Sequence, residues 1–178
     1  ALFTLPPVQY QAAPTISDAC QASEGCRLCI SACPHDALSA NAATVTVDRA
    51  NCRSCGICVA ACPQRAVEFP GYGAAAIEAQ VTYDPDPEIP AAPLLFACRK
   101  ATYDVGGEWR PVPIACAGMV PASALLAALA NGEKNVGVLA CRTDCGNGGY
   151  EVAKERVEYC RELLSAAGEN PDRVQILE

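Results

Sequence analysis

The rhythm of hydrophobic and polar positions changes near residue 93. Before it the apolar runs are short and β-branched. Thr44-Val-Thr-Val-Asp48 alternates with a period of two, which predicts a half-buried strand, and Val67-Glu-Phe69 is a second such run. After it, Leu94-Leu-Phe-Ala97, Val112-Pro-Ile-Ala115 and Asn135-Val-Gly-Val-Leu-Ala140 are continuous apolar runs of the kind buried in a parallel sheet. Pro113 has no backbone donor, so its strand is predicted at an edge, or to begin late. Residues 121–130 are rich in alanine and leucine, open on Pro121 and stop at Asn131-Gly132, which predicts a helix. Residues 150–167 predict a longer amphipathic helix ending at Gly168, with Val157, Cys160, Leu163 and Leu164 on its buried face. Residues 173–177 predict a last strand.

The first region contains an internal repeat with an offset of 29 residues. Cys26-Arg-Leu-Cys29-Ile-Ser-Ala-Cys33-Pro34 aligns with Cys55-Gly-Ile-Cys58-Val-Ala-Ala-Cys62-Pro63, and Ala37 falls on Ala66. The expected organisation is an N-terminal arm (1–12), a pseudo-symmetric α+β domain (13–70), a linker (71–93) and a small α/β domain with a parallel sheet (94–178). The linker reading rests on Gly71-Tyr-Gly73 at its start and four prolines between Asp84 and Pro93, which favour extended chain.

Thirteen cysteines in 178 residues indicate either a disulfide scaffold or metal binding in a reducing compartment. The first residues carry no charged segment before an apolar core, so no secretory signal is visible, and cytoplasmic metal binding is expected. The absent initiator Met raises processing or trimming as an alternative. The longest uncharged stretch, 111–132, is broken by Pro111, Pro113, Gly118 and Pro121 and does not predict a spanning helix. A formal charge of −7 with no basic stripe excludes nucleic-acid binding as a leading reading.

Cys52-x2-Cys55-x2-Cys58-x3-Cys62-Pro63 is the ligand run of bacterial two-cluster ferredoxins. Three thiolates at that spacing wrap one 4Fe–4S cube, and the fourth, turned away by the proline, ligates the other cube. Zinc needs four ligands and has no use for a second matching set. The first repeat departs from this run. Its leading cysteine should fall at position 23, where Ser23 stands, and Cys20 lies three residues earlier. A loop through Gly25 can carry Cys20 around the cube. The alternatives are a three-iron cluster with Cys20 free, or ligation by Ser23. The crossed pattern assigns Cys20, Cys26, Cys29 and Cys62 to one cube, and Cys33, Cys52, Cys55 and Cys58 to the other. His35, the one histidine, reads as a surface residue rather than a ligand.

Cys98, Cys116 and Cys141 each follow a predicted strand, and parallel strands end at one edge, so these thiols are expected to converge. Cys145 follows in a glycine-rich turn. Four such thiols suit a 2Fe–2S cluster or tetrahedral zinc. The plainer alternative is that they are small buried hydrophobes, the reading that fits Cys160 in its helix.

Residues 13–70 resemble the two-cluster bacterial ferredoxins. Leu95-Phe-Ala-Cys98, Ile114-Ala-Cys116-Ala-Gly118-Met-Val-Pro-Ala122 and Gly137-Val-Leu-Ala-Cys141-Arg-Thr-Asp-Cys145, with Arg156-x6-Leu163-Leu164 and Pro171-Asp-Arg-Val174, resemble the hydrogenase delta-subunit family. This second resemblance implies a 2Fe–2S cluster and electron transfer between a hydrogenase or dehydrogenase and a flavoprotein of heterodisulfide reductase type. Two positions depart from that family's pattern: Ala101 stands where a C-x2-C pair has its second cysteine, and three residues rather than four separate Cys141 from Cys145.

The chain shows no dinucleotide fingerprint and no nucleophile constellation, so it is expected to be a non-catalytic electron-transfer subunit of an oxidoreductase complex. The alternatives are a freely diffusing ferredoxin-type carrier and a redox sensor or docking adaptor.

Overall fold

The computed structural model of the protein describes residues 13–69, 71–82, 92–101, 109–141 and 145–178. The expected arm (1–12) and the proline-rich part of the expected linker (83–91) lie outside the described residues.

The first half is built from short pieces around its cysteines: β1 (Thr15–Ile16), α1 (Leu28–Ser31), β2 (Leu38–Ala40), β3 (Val45–Val47), α2 (Ile57–Ala61) and β4 (Val67–Glu68). Strand β1 pairs antiparallel with β4, and β2 with β3, the two ladders being separate two-stranded sheets. The repeat is visible in backbone conformation. Asp36 and Arg65, one offset apart, both take positive φ (50° and 51°), as do Gly25 and Ser54 (93° and 52°). Each repeat therefore turns left-handed just before its middle cysteines and again after its Cys-Pro. The apolar core is small, with Leu38, Val45, Val59, Val67 and Phe69 packed around Cys29 and Cys58.

The segment expected to be a linker contains a helix. α3 (Ala74–Val81) follows Gly73, and its Ile77 and Val81 are buried in the core of the second half. The run Ala74-Ala-Ala-Ile-Glu-Ala-Gln-Val81 consists almost wholly of good helix formers, a local preference that the flanking glycines and prolines concealed. Phe69 stacks on Tyr72 with ring centroids 4.8 Å apart, which fixes the exit from the first half onto α3.

The second half holds β5 (Leu94–Cys98), β6 (Arg110–Ile114), α4 (Ala122–Ala130), β7 (Val136–Leu139), α5 (Gly149–Ala166) and β8 (Val174–Leu177). The sheet is wholly parallel in the order β6-β5-β7-β8, which puts Pro113 on an edge strand as its missing donor requires. All of β5 is buried. Leu94 and Phe96 face a core shared with α3, α4 and α5, while Leu95 and Ala97 face a smaller cluster with Trp109 and Leu177. On α5 the buried stripe is Ala153, Val157, Cys160 and Leu164, at helical spacing. Leu163, expected on that face, lies beside the stripe and is exposed. No helix among the described residues is long and apolar enough to cross a membrane.

Candidate metal centres

The short elements of the first half gather eight thiols into two sets. Burial raises the Cys29 thiol, and Cys62, Cys20 and Cys26 raise it further by charge, so these four lie together. Burial likewise raises Cys55, with Cys33 and Cys52 adding to it against a hydrogen bond from the Ile57 N–H. Cys58 is pushed up to about 12 by burial and then by Cys55, Cys33 and Cys52. Cys33, Cys52, Cys55 and Cys58 all line one cavity, closed by Pro34, Leu38 and Phe69. The two groupings coincide with those read from the crossed spacing.

Cys20 takes its place in the first set through a local turn. Residues Ala22–Glu24 form a single 3-10 turn, and Gly25 ends it with φ 93°, the left-handed step expected there. Burial raises the Cys20 thiol, but the N–H groups of Ala22 and Val45, the Thr44 hydroxyl and the Arg27 charge outweigh it, and the thiol sits below its ordinary value. Ser23 is exposed on the same turn.

The second half builds its set differently. Cys98 ends β5, Cys116 follows β6, and Cys141 follows β7, so the parallel sheet delivers three thiols to one edge. The Cys98 and Cys141 sulfurs are 3.8 Å apart. Two thiolates bound to one tetrahedral ion at about 2.3 Å would stand about that far from each other. Cys116 is pushed up to about 12 by burial, with Cys98 and Cys145 adding to it and the Gly118 N–H opposing. Burial raises Cys141 strongly, with Cys145 and Cys98 adding to it. Cys145 sits in the turn before α5. Burial raises it, but the N–H groups of Asn147 and Gly149 outweigh that and hold it below its ordinary value.

In all three sets a thiol accepts the N–H of the residue two further on: Ala22 to Cys20, Ile57 to Cys55, Gly118 to Cys116, and Asn147 to Cys145. Such bonds stabilise a thiolate over a thiol and tune an iron–sulfur centre. The donor chemistry of each set therefore fits a thiolate-held cluster. Among the described residues no three His, Cys, Asp or Glu side chains converge on a single-ion point. Cys160 joins no set. It is fully buried among apolar side chains, and burial alone pushes it up to about 11.

The sets form a row. Cys29 acts on Cys58, joining the first to the second. Cys55 and Ile57 pack in one buried cluster with Cys116, flanked by Cys145, joining the second to the third. Several residues at this seam carried no signal in the sequence. His35 is half-buried rather than a free surface residue, and its Nε2 lies 2.7 Å from Oδ1 of buried Asn147, which ties the loop after Cys33 to the loop after Cys145. Gly149 has no room for a side chain, because a Cβ there would fall 2.1 Å from the Cys116 sulfur. Gly56 has φ 78° and presses on Met119, where a Cβ would meet the methionine side chain at 2.9 Å. Only the glycine-rich composition of Cys145-Gly-Asn-Gly-Gly149 hinted that backbone must approach sulfur there.

Three protein families match parts of the chain. Residues 19–66 match a 4Fe-4S dicluster domain, and residues 45–100 match a 4Fe-4S single cluster domain. Residues 94–178 match the delta subunit of methyl-viologen-reducing hydrogenase. A search of curated proteins found no match. The chain thus joins segments similar to 4Fe–4S ferredoxin domains to one similar to the hydrogenase delta subunit.

Proposed function

We propose that the chain is a three-centre electron relay. Cys20, Cys26, Cys29 and Cys62 hold one 4Fe–4S cluster, and Cys33, Cys52, Cys55 and Cys58 hold a second. Cys98, Cys116, Cys141 and Cys145 hold a 2Fe–2S cluster at the sheet edge. When bound, these groups supply one-electron carriers. The observation that carries the reading is the row of thiol sets, joined by Cys29 beside Cys58 and by Cys55 beside Cys116. The protein's own part is to hold the sets in order, to exclude water at the Cys55–Cys116 seam, and to aim backbone N–H groups at sulfur.

The partners we propose are a flavoprotein of heterodisulfide reductase type and a hydrogenase or dehydrogenase subunit, in the cytoplasm. Support comes from the delta-subunit match. Anaerobically prepared protein is expected to contain about ten irons per chain, four in each cube and two at the sheet edge. About eight irons with one zinc would replace the 2Fe–2S assignment by a structural zinc site and end the relay at the cubes.

A further inference from the structure

Arg156 of α5 turns back onto the segment that follows Cys116. Its Nη1 donates to the carbonyl oxygens of Gly118 and Val120, at 2.5 and 3.0 Å. Both carbonyls belong to the short turn that follows Cys116, and Gly118 is also the residue whose N–H faces the Cys116 sulfur. Two neutral carbonyls satisfy donors on the guanidinium but leave its charge unbalanced. Among the described residues no carboxylate lies within ion-pair reach of it. Arg65, Arg110 and Arg173, by contrast, pair with Glu78, Glu133 and Glu169. Burial lowers Arg156 from its ordinary value, and the two groups that act against this are exposed Glu155 and Cys116.

A half-buried cation without a carboxylate is costly unless an anion stands near it. A cluster held by four thiolates is such an anion, and it gains one further negative charge on reduction. A fixed positive charge beside it favours the reduced form. We propose that Arg156 is the charge-balancing residue of the sheet-edge centre, holding its reduction potential up through a guanidinium locked onto the Gly118 and Val120 carbonyls.

This rests on the reading that Cys98, Cys116, Cys141 and Cys145 bind an iron–sulfur cluster, and the two can fail separately. The test is a redox titration of the intact chain, followed by paramagnetic resonance, on wild type, Arg156→Gln and Arg156→Lys. Glutamine keeps a donor for the carbonyls and removes the charge; lysine keeps the charge. The expected result for Arg156→Gln is an unchanged iron content and about a tenfold lower ratio of reduced to oxidised sheet-edge centre at fixed potential. That ratio corresponds to a midpoint about 59 mV lower for a one-electron couple. Arg156→Lys should stay near wild type, and the cube midpoints should not move. A sheet-edge midpoint unchanged in Arg156→Gln, with the cluster retained, overturns the proposal. So does loss of the cluster in both variants, which would make Arg156 a brace for the turn. A wild-type chain with no third titrating centre overturns the cluster reading itself, and the proposal with it.

Discussion

The two halves of the molecule collect cysteines by opposite means. In the ferredoxin half the thiols come from two compact runs, and the turns between them are fixed by local left-handed residues such as Gly25, Ser54, Asp36 and Arg65. Its strands are two or three residues long and its apolar core is slight. In the second half each of the first three thiols comes from the end of a different strand, and a parallel sheet with three helices packed on it brings them together. One half is thus shaped around its cysteines, while the other has a sheet and an apolar core of its own. Metal binding and folding should accordingly be coupled in the first half and nearly independent in the second.

Stripping the metal should have the largest effect on the difference between the two halves. Anaerobic chelation after oxidation should release the amides of residues 13–69 to rapid hydrogen exchange, while β5, β7 and α5 stay protected. Exchange read by mass spectrometry on wild-type protein checks this. Equal loss of protection in both halves would mean that the second half also depends on its centre.

A smaller intervention targets the seam from the second half. Gly149→Ala places a methyl group where the Cys116 sulfur lies, 2.1 Å from the ideal Cβ position. Overpacking of this kind costs about 1–3 kcal/mol. The expected outcome is loss or distortion of the sheet-edge centre with both cubes retained, seen in iron content and visible absorption. The same substitution at Gly146, where a Cβ meets nothing within 4 Å, should leave all three centres in place.

The mildest change concerns the hydrogen bond across the seam. His35→Ala removes the partner of buried Asn147, and an orphaned buried amide costs about 1–3 kcal/mol. Thermal unfolding should begin lower by a corresponding amount, with every cluster still present. His35→Gln, which can restore a side-chain bond, should recover part of the loss.

Legibility in the sequence follows the same division. The grouping of the thiols in the first half could be read from spacing because their geometry is local: a C-x2-C-x2-C run with Cys-Pro leaves the chain few ways to wrap. The parallel strands and their common edge could be read from the apolar runs, and Pro113 even located the edge strand. What could not be read depends on the juxtaposition of distant segments. His35 and Asn147 are 112 residues apart, and neither polar side chain has a reason to leave solvent until the two halves meet. Arg156 on an amphipathic helix looks like any solvated charge until the turn after Cys116 is laid against it. Helix α3 is masked in the sequence because the glycines and prolines around it outweigh its own propensity. Leu163 missed the core because residues 163 and 164 cannot both sit at the centre of one helical stripe.

The sheet-edge thiol set stands next to the Cys33, Cys52, Cys55 and Cys58 set, and a reduced centre there should communicate with it. Paramagnetic resonance of the fully reduced chain tests this most directly, comparing wild type with Cys141→Ala after iron content has shown both cubes intact. The cube signals of the wild type should carry, beyond the coupling of the cubes to each other, a broadening from the sheet-edge spin, and Cys141→Ala should remove that added broadening. Superimposable cube spectra in the two proteins, with sheet-edge iron confirmed in the wild type, would contradict it.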